Sequence, residues 1–342
     1  MNLVFSENVS VFFRFLIAVL AQLIHQSDVG YLRRRDCSAI RKPPIPGKTS
    51  NRFTERKPMP HFAVSMFPAD YAIQPVELAQ ASEERGFESL WFPEHTHIPA
   101  SRKTPWPAGG ELPPEYWHSH DPFVALGACA AATKKIKLAT GVCLVIERDP
   151  ITLAKEVASL DMISGGRVLL GIGAGWNVEE MANHGADARR KWKTVREKIL
   201  AMKEIWTKEA AEFHGEIINF DPIWSYPKPV QAGGPPIIMG SQSKKVFERV
   251  AEYCDGWMPI NNPRYDFVRA LNAMREELNK RGRKLESLDL SIFGVGPSEE
   301  DARKFIALGF KRIVFALPPA PRDKVLPILD KYAALVQKIA KG

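Results

Sequence analysis

Glu94 and His95 put a carboxylate beside an imidazole, a pair that can exchange or orient a proton near neutral pH. The plainer reading is a polar loop pair. A second histidine follows as His95-x-His97, and His118-x-His120-Asp121 comes later, a spacing that invites a metal ion. A barrel hydrolase would draw further ligands from later strands, yet only His184 and His214 lie downstream. A metal-dependent hydrolase is therefore a minor alternative, and no metal is expected. Gly171, Gly173 and Gly175, just ahead of Trp176, form a glycine-rich strand exit that admits a flat or anionic ligand, or else relieves crowding in a strand-to-helix turn. The third glycine falls one residue too early for the dinucleotide fingerprint. Gly240-Ser241-Gln242-Ser243 offers backbone N–H groups and hydroxyls to a phosphate; the plainer reading is a serine N-cap.

These residues are spaced at the ends of strands. Apolar runs at 62–67, 88–92, 136–142, 168–172, 236–240, 256–260, 288–295 and 312–317 alternate with helical segments. Asp121-Pro122 and Asp149-Pro150 read as helix starts, an acceptor cap followed by Pro at the first helical position. The glycine turn opens a helix, Ser243 to Tyr253 reads as another, and residues 212–235 read as an insertion with a short hairpin. Eight strand and helix units predict a (β/α)8 TIM barrel with insertions; an open doubly wound sheet is the alternative. In a barrel the chemistry sits at the strands' C-terminal ends. The loop from Pro93 to His120, with Trp106, Tyr116 and Trp117, is too long for a plain connector and is expected to form a substrate lid or wall.

The formal charge of +8 is unevenly placed. Residues 1–58 hold ten Lys and Arg against four acids, a net of +6, leaving +2 for residues 59–342. That near balance removes the main support for nucleic-acid binding by the barrel domain, 59–342. Within residues 1–58, the apolar stretch from Val9 to Ile24 is broken by Arg14 and falls short of the roughly 20 residues a membrane span needs. The segment reads as a disordered or artefactual N-terminal extension ahead of a start near Met59, with a membrane-associating helix or a targeting segment as alternatives. Four widely spaced cysteines, Cys37, Cys129, Cys143 and Cys254, fit buried thiols in the cytoplasm better than a disulfide framework.

The set Gly86-Phe87-Glu88-Ser89-Leu90-Trp91 with Glu94-His95, Leu138-Ala139-Thr140-Gly141-Val142, Ser164-Gly165-Gly166-Arg167, Gly171-Ile172-Gly173-Ala174-Gly175-Trp176, Tyr226-Pro227-Lys228-Pro229-Val230-Gln231 and Asp255-Gly256-Trp257 resembles the luciferase-like monooxygenase superfamily of barrel flavoenzymes. The Gly-Ala-Gly-Trp form followed by Asn177-Val178-Glu179-Glu180 is most similar to its coenzyme F420-dependent oxidoreductase branch. The resemblance implies hydride transfer between this deazaflavin and an organic small-molecule substrate, with FMN as the alternative cofactor. An FMN-dependent monooxygenase would take reduced flavin from a partner reductase and use oxygen. The resemblance further implies that Glu94 and His95 contact the ring and the reacting centre. Thr140, Gly141 and Val142 would back the ring through a cis Gly141–Val142 peptide. Ala174, Gly175 and Trp176 would line its other side, and Gly240, Ser241, Gln242 and Ser243 would take the phosphate. Some deazaflavin dehydrogenases place an acid where this chain has Trp176, which disfavours sugar-phosphate chemistry. An apolar or aromatic substrate suits Trp176, Trp106 and Trp117 better. Relatives are often homodimers.

Overall fold

The strands of this protein alternate between two buried faces, and that alternation builds a closed barrel. The computed structural model describes residues 59–341; the expectations for residues 1–58 lie outside the described residues. The strands are β1 (His61–Ser65), β2 (Ser89–Phe92), β3 (Lys137–Thr140), β4 (Cys143–Leu144), β5 (Val168–Gly173), β6 (Ala210–His214), β7 (Asn219–Trp224), β8 (Ile237–Met239), β9 (Gly256–Trp257), β10 (Asp289–Val295) and β11 (Arg312–Ala316). The helices are α1 (Pro75–Glu84), α2 (Glu115–His118), α3 (Pro122–Ala132), α4 (Pro150–Ser164), α5 (Val178–Asn183), α6 (Lys191–Thr207), α7 (Val246–Tyr253), α8 (Phe267–Asn279), α9 (Glu299–Ala307) and α10 (Arg322–Lys341). Parallel pairing runs in the order β3, β2, β1, β11, β10, β9, β8, β5, and pairing of β3 with β5 closes the ring. β6 and β7 form the expected antiparallel hairpin in the insertion. The (β/α)8 barrel is therefore present.

Residues pointing out of the ring, such as Val64, Leu90, Phe92, Leu138, Leu170 and Ile172, join the core beneath the helices. Those pointing inward, Ala63, Trp91, Ala139, Leu169, Ile238, Met258 and Val314, form a separate interior cluster. One large ring among small neighbours is how this interior fills. Trp91 is fully buried, and a Cβ on Gly171 would lie 3.1 Å from its ring and 2.1 Å from the carbonyl oxygen of Thr140. Gly171 is a glycine because β3 and Trp91 occupy the space, not because a ligand does.

Below Trp91, Arg312 points into the barrel and bonds Glu88, Asp289 and Ser291. Desolvation pushes the Glu88 carboxyl up, but its hydrogen bonds with Arg312 and the Arg312 and Lys137 charges outweigh it, and the group ends at about 2.

Three elements depart from the sequence reading. The third strand is not continuous over 136–142: it stops at Thr140, the Gly141–Val142 peptide is cis, and β4 resumes against β5. The sixth strand is short because Pro259 has no N–H to continue the ladder, although its carbonyl still accepts from Phe293. The helix expected from Ser243 begins at Val246, since the Ser241 hydroxyl accepts from the Ser243 N–H and makes a turn there. Both Asp-Pro helix starts form as expected, with Asp121 and Asp149 accepting from first-turn N–H groups.

Replacing Gly171 by Ala forces β3 and β5 apart and is expected to cost about 3 kcal/mol, read as a lower urea midpoint. Glu88 has a folded value near 2, below its unfolded value, so its stabilisation is complete above about pH 4.5 and is lost as pH falls towards 2. The acid limb of the wild-type stability profile should accordingly be shallower in Glu88→Gln, by about 3 kcal/mol across that window.

Candidate active site

His95 leaves the end of β2 as a buried imidazole fixed on both nitrogens. Its Nδ1 lies 2.8 Å from Glu180 Oε2, and Trp176 Nε1 donates to its Nε2 at 3.3 Å. The indole can only donate, so Nε2 is an acceptor and the ring proton sits on Nδ1, towards the carboxylate. Tyr116 packs on the same ring with centroids 5.0 Å apart, and Phe67 packs on Tyr116 at 4.7 Å. Trp106 donates to the Tyr116 hydroxyl from behind. Burial pushes the Tyr116 phenol up, keeping it uncharged.

Glu94 is a holder. One of its oxygens accepts from the Leu144 N–H at 2.5 Å and the other from Arg148 Nε at 2.6 Å, so both are occupied within the protein. Arg148 also reaches Glu156 and Asp121, and Asp121 caps α3. This pins β4 to the exit of β2. Two further carboxylates lie in the same region. Glu180 has one oxygen on His95 and the other buried without a partner among the described residues; both oxygens of Glu147 are likewise unpartnered. Burial, then the charges of Glu180 and Glu94, push the Glu147 carboxyl up to about 9.

The cis Gly141–Val142 peptide stands opposite His95. The side chain of Val142 lies between two glycines: a Cβ on Gly173 would sit 2.6 Å from one of its methyls, and a Cβ on Gly240 2.5 Å from the other. These two glycines make room for the protein's own bulge. Around it opens a cavity of about 320 Å³, lined by Phe67, Glu94, His95, Tyr116, Gly141, Val142, Ala174, Gly175, Trp176, Trp192, Gly240, Ser241, Ile260 and Phe293 among others. A smaller lobe of about 140 Å³ continues past Gln242 and Met258. A groove of about 420 Å³ between α7 and α8 lies outside this mouth and takes no lining from the strand exits carrying His95 and Val142.

At one edge of the mouth the serine turn meets cations. Arg249 donates to the Ser243 hydroxyl at 2.8 Å while lying over the Trp192 ring, and Lys191 donates to the Gly175 carbonyl at 3.1 Å. Trp257 donates to the Ser241 carbonyl and anchors the turn. Gln242 Nε2 is buried with no acceptor among the described residues. An orphaned donor, two hydroxyls and two cations fit a phosphate.

Ten of the twelve expected site residues line the two lobes. Two do not. Thr140 is buried beneath the mouth, its hydroxyl donating to the Gly171 carbonyl, and Ser243 lies outside the lining, held by Arg249. Trp117, expected in the substrate wall, is half exposed and lines an outer groove with Leu112 and Arg102. His97 bonds Thr96 and Asn183, and His118 pairs with Asp70. Sequence reasoning missed Glu180, Glu147, Lys191, Trp192 and Arg249. Glu180 had a signal, since Asn177-x-x-Glu180 is a capping pattern and the Asn177 side chain does accept from the Glu180 N–H. The others come from helices and a 3₁₀ turn with no motif.

Residues 59–316 match the model of the luciferase-like monooxygenase family. The chain belongs to this family. An uncharacterized protein of Mycobacterium tuberculosis, Rv0953c, is 36% identical over 282 residues, 80% of this chain and 98% of its own. The F420-dependent glucose-6-phosphate dehydrogenase of Nakamurella multipartita is 28% identical over 62% of this chain and 60% of that one. An F420-dependent secondary alcohol dehydrogenase, solved with an F420-acetone adduct, superposes with a TM-score of 0.66 at 16% identity, over 82% of this chain and 99% of its own. As a member of the luciferase-like family the chain is an oxidoreductase. Among the described residues no helix is long and apolar enough to cross a membrane.

In this family member, Glu94→Gln leaves the buried Arg148 short of its most buried carboxylate partner. We expect a loss of about 3 kcal/mol in urea unfolding, with β4 released from β2.

Proposed function

We propose that the protein transfers a hydride between coenzyme F420 and an organic substrate with an apolar or aromatic body. The observation that carries this reading is His95, whose Nδ1 is held by Glu180 and whose Nε2 accepts from the Trp176 N–H in the cavity wall, across from the Val142 bulge. A bound deazaflavin would supply a ring carbon that gives or accepts the hydride. The residues do the rest. Gly141 and Val142 offer a flat backbone surface for a ring, and Ser241, Gln242 and Arg249 suit its phosphate. Phe67, Tyr116, Trp176 and Phe293 exclude water and give the substrate an aromatic wall. A substrate hydroxyl that takes the place of the Trp176 N–H, 3.3 Å from His95 Nε2, gives that nitrogen its proton as the hydride departs, or receives it back in the reverse direction, while Glu180 stabilises the imidazolium through Nδ1–H. The F420-dependent relatives support this cofactor. Trp176, where some such dehydrogenases carry an acid, argues against a sugar phosphate as substrate.

The family's monooxygenase description favours a second reading, an FMN-dependent monooxygenase fed by a partner reductase. Parallel fluorescence titrations with oxidised F420 and FMN decide between them: tight F420 and weak FMN binding is expected, and the reverse order overturns the first reading. His95→Ala should lower turnover about 100-fold or more while F420 affinity changes little. Unchanged turnover would remove His95 from the reaction.

A further inference from the structure

Glu147 is the buried acid that the reaction, as read above, does not use. It ends the 3₁₀ turn after β4, its side chain is 1% exposed, and neither oxygen has a partner among the described residues. Cations are near it but engaged elsewhere. Lys198 donates to the carbonyls of Ile146 and Arg148, and Arg148 is shared by Glu94, Asp121 and Glu156. The remaining neighbours are Glu180 and Glu94, whose charges oppose its ionisation, and His184, whose Nε2 stands 3.8 Å away and bonds Thr96 at 2.7 Å. An ionised carboxylate in that place would have no hydrogen-bonded counter-ion among the described residues, with His184 at 3.8 Å and two acids beside it.

We propose that Glu147 is a positioning residue for His95: it holds a proton behind Glu180, so that a single carboxylate charge faces the imidazole. A second charge there would draw a proton onto His95 and fill the Nε2 lone pair that Trp176 now meets with its N–H. A neutral Glu147 leaves that lone pair as an acceptor, held by the Trp176 N–H until a substrate hydroxyl replaces it. His184, partly exposed, gives the buried acid its way to exchange a proton with solvent. The proposal rests on His95 as the group that handles the substrate's proton. The tests below use cofactor-free protein, so failure of F420 to bind leaves their outcome intact.

Carboxyl-¹³C NMR of glutamate-labelled protein should show a resonance titrating near 9 that disappears in Glu147→Gln, the isostere of the protonated acid. A Glu147 midpoint below neutrality overturns the proposal. Imidazole ¹⁵N shifts should place the His95 midpoint at the same pH in wild type and Glu147→Gln, and lower in Glu180→Gln by about tenfold in proton affinity. A lower midpoint in Glu147→Gln, or none in Glu180→Gln, overturns it. Stability gives a third readout, with its sign fixed. The folded protein keeps a proton that the unfolded chain releases above about pH 4.5, so wild type loses stability as pH rises and Glu147→Gln does not. The Tm advantage of Glu147→Gln should widen from about pH 5 to about 9 and then level off; a constant difference overturns the proposal.

Discussion

The side chain of Val142, packed between Gly173 and Gly240, is the contact on which the mouth of this barrel depends. Any larger residue at either glycine would meet a Val142 methyl at well under 3 Å, a distance carbon atoms do not adopt. The bulge between β3 and β4 can therefore sit where it does only because β5 ends in Gly173 and Gly240 follows β8. The consequences spread outward from there. Val142 and Gly141 face the cavity, the Gly240 N–H bonds back to Ile172, and the serine turn starts at a fixed place.

Charge is arranged in two tiers around an apolar middle. Beneath Trp91, Arg312 gathers Glu88, Asp289 and Ser291 into a closed group with no chemistry to do. Above it, Arg148 and Glu94 tie β4 to β2, while Glu180 and Trp176 orient His95. The separation matters because buried charges stay useful only when each has a dedicated partner. Glu94 and Arg148 satisfy one another, which leaves Glu180 free to serve the imidazole. Glu94 and His95 are adjacent in sequence and both line the cavity, yet Glu94 spends its two oxygens on Leu144 and Arg148 while His95 is oriented by Glu180 and Trp176.

The eight-unit rhythm, the Asp-Pro helix starts and most of the mouth were legible from residue order, because strand periodicity, caps and glycine content are local properties. Thr140 and Trp117 do not line the mouth for the same reason: a local pattern says that a residue lies near a strand exit, not which way its side chain turns. Thr140 spends its hydroxyl on a neighbouring strand, and Trp117 falls on the outer side of its short helix. The three glycines at 171, 173 and 175 read as a ligand's doorway, whereas two of them yield to Thr140, Trp91 and Val142.

What the sequence by itself determined is the family, through the resemblance of its motifs, and the barrel and the strand ends where chemistry gathers, which follow from spacing along the chain. The partners of His95 were decided only by the tertiary structure. Glu180 lies 85 residues away, and Arg148 reaches Glu94 across 54. Ring closure brings such residues within hydrogen-bond reach, and burial then decides which of them carry charge: Glu94 beside Arg148 is paired, while Glu147, with no hydrogen-bond partner among the described residues and two acids near it, is pushed up to about 9. Neither distance nor dielectric is written in residue order, so the chemistry of these carboxyls belongs to the fold.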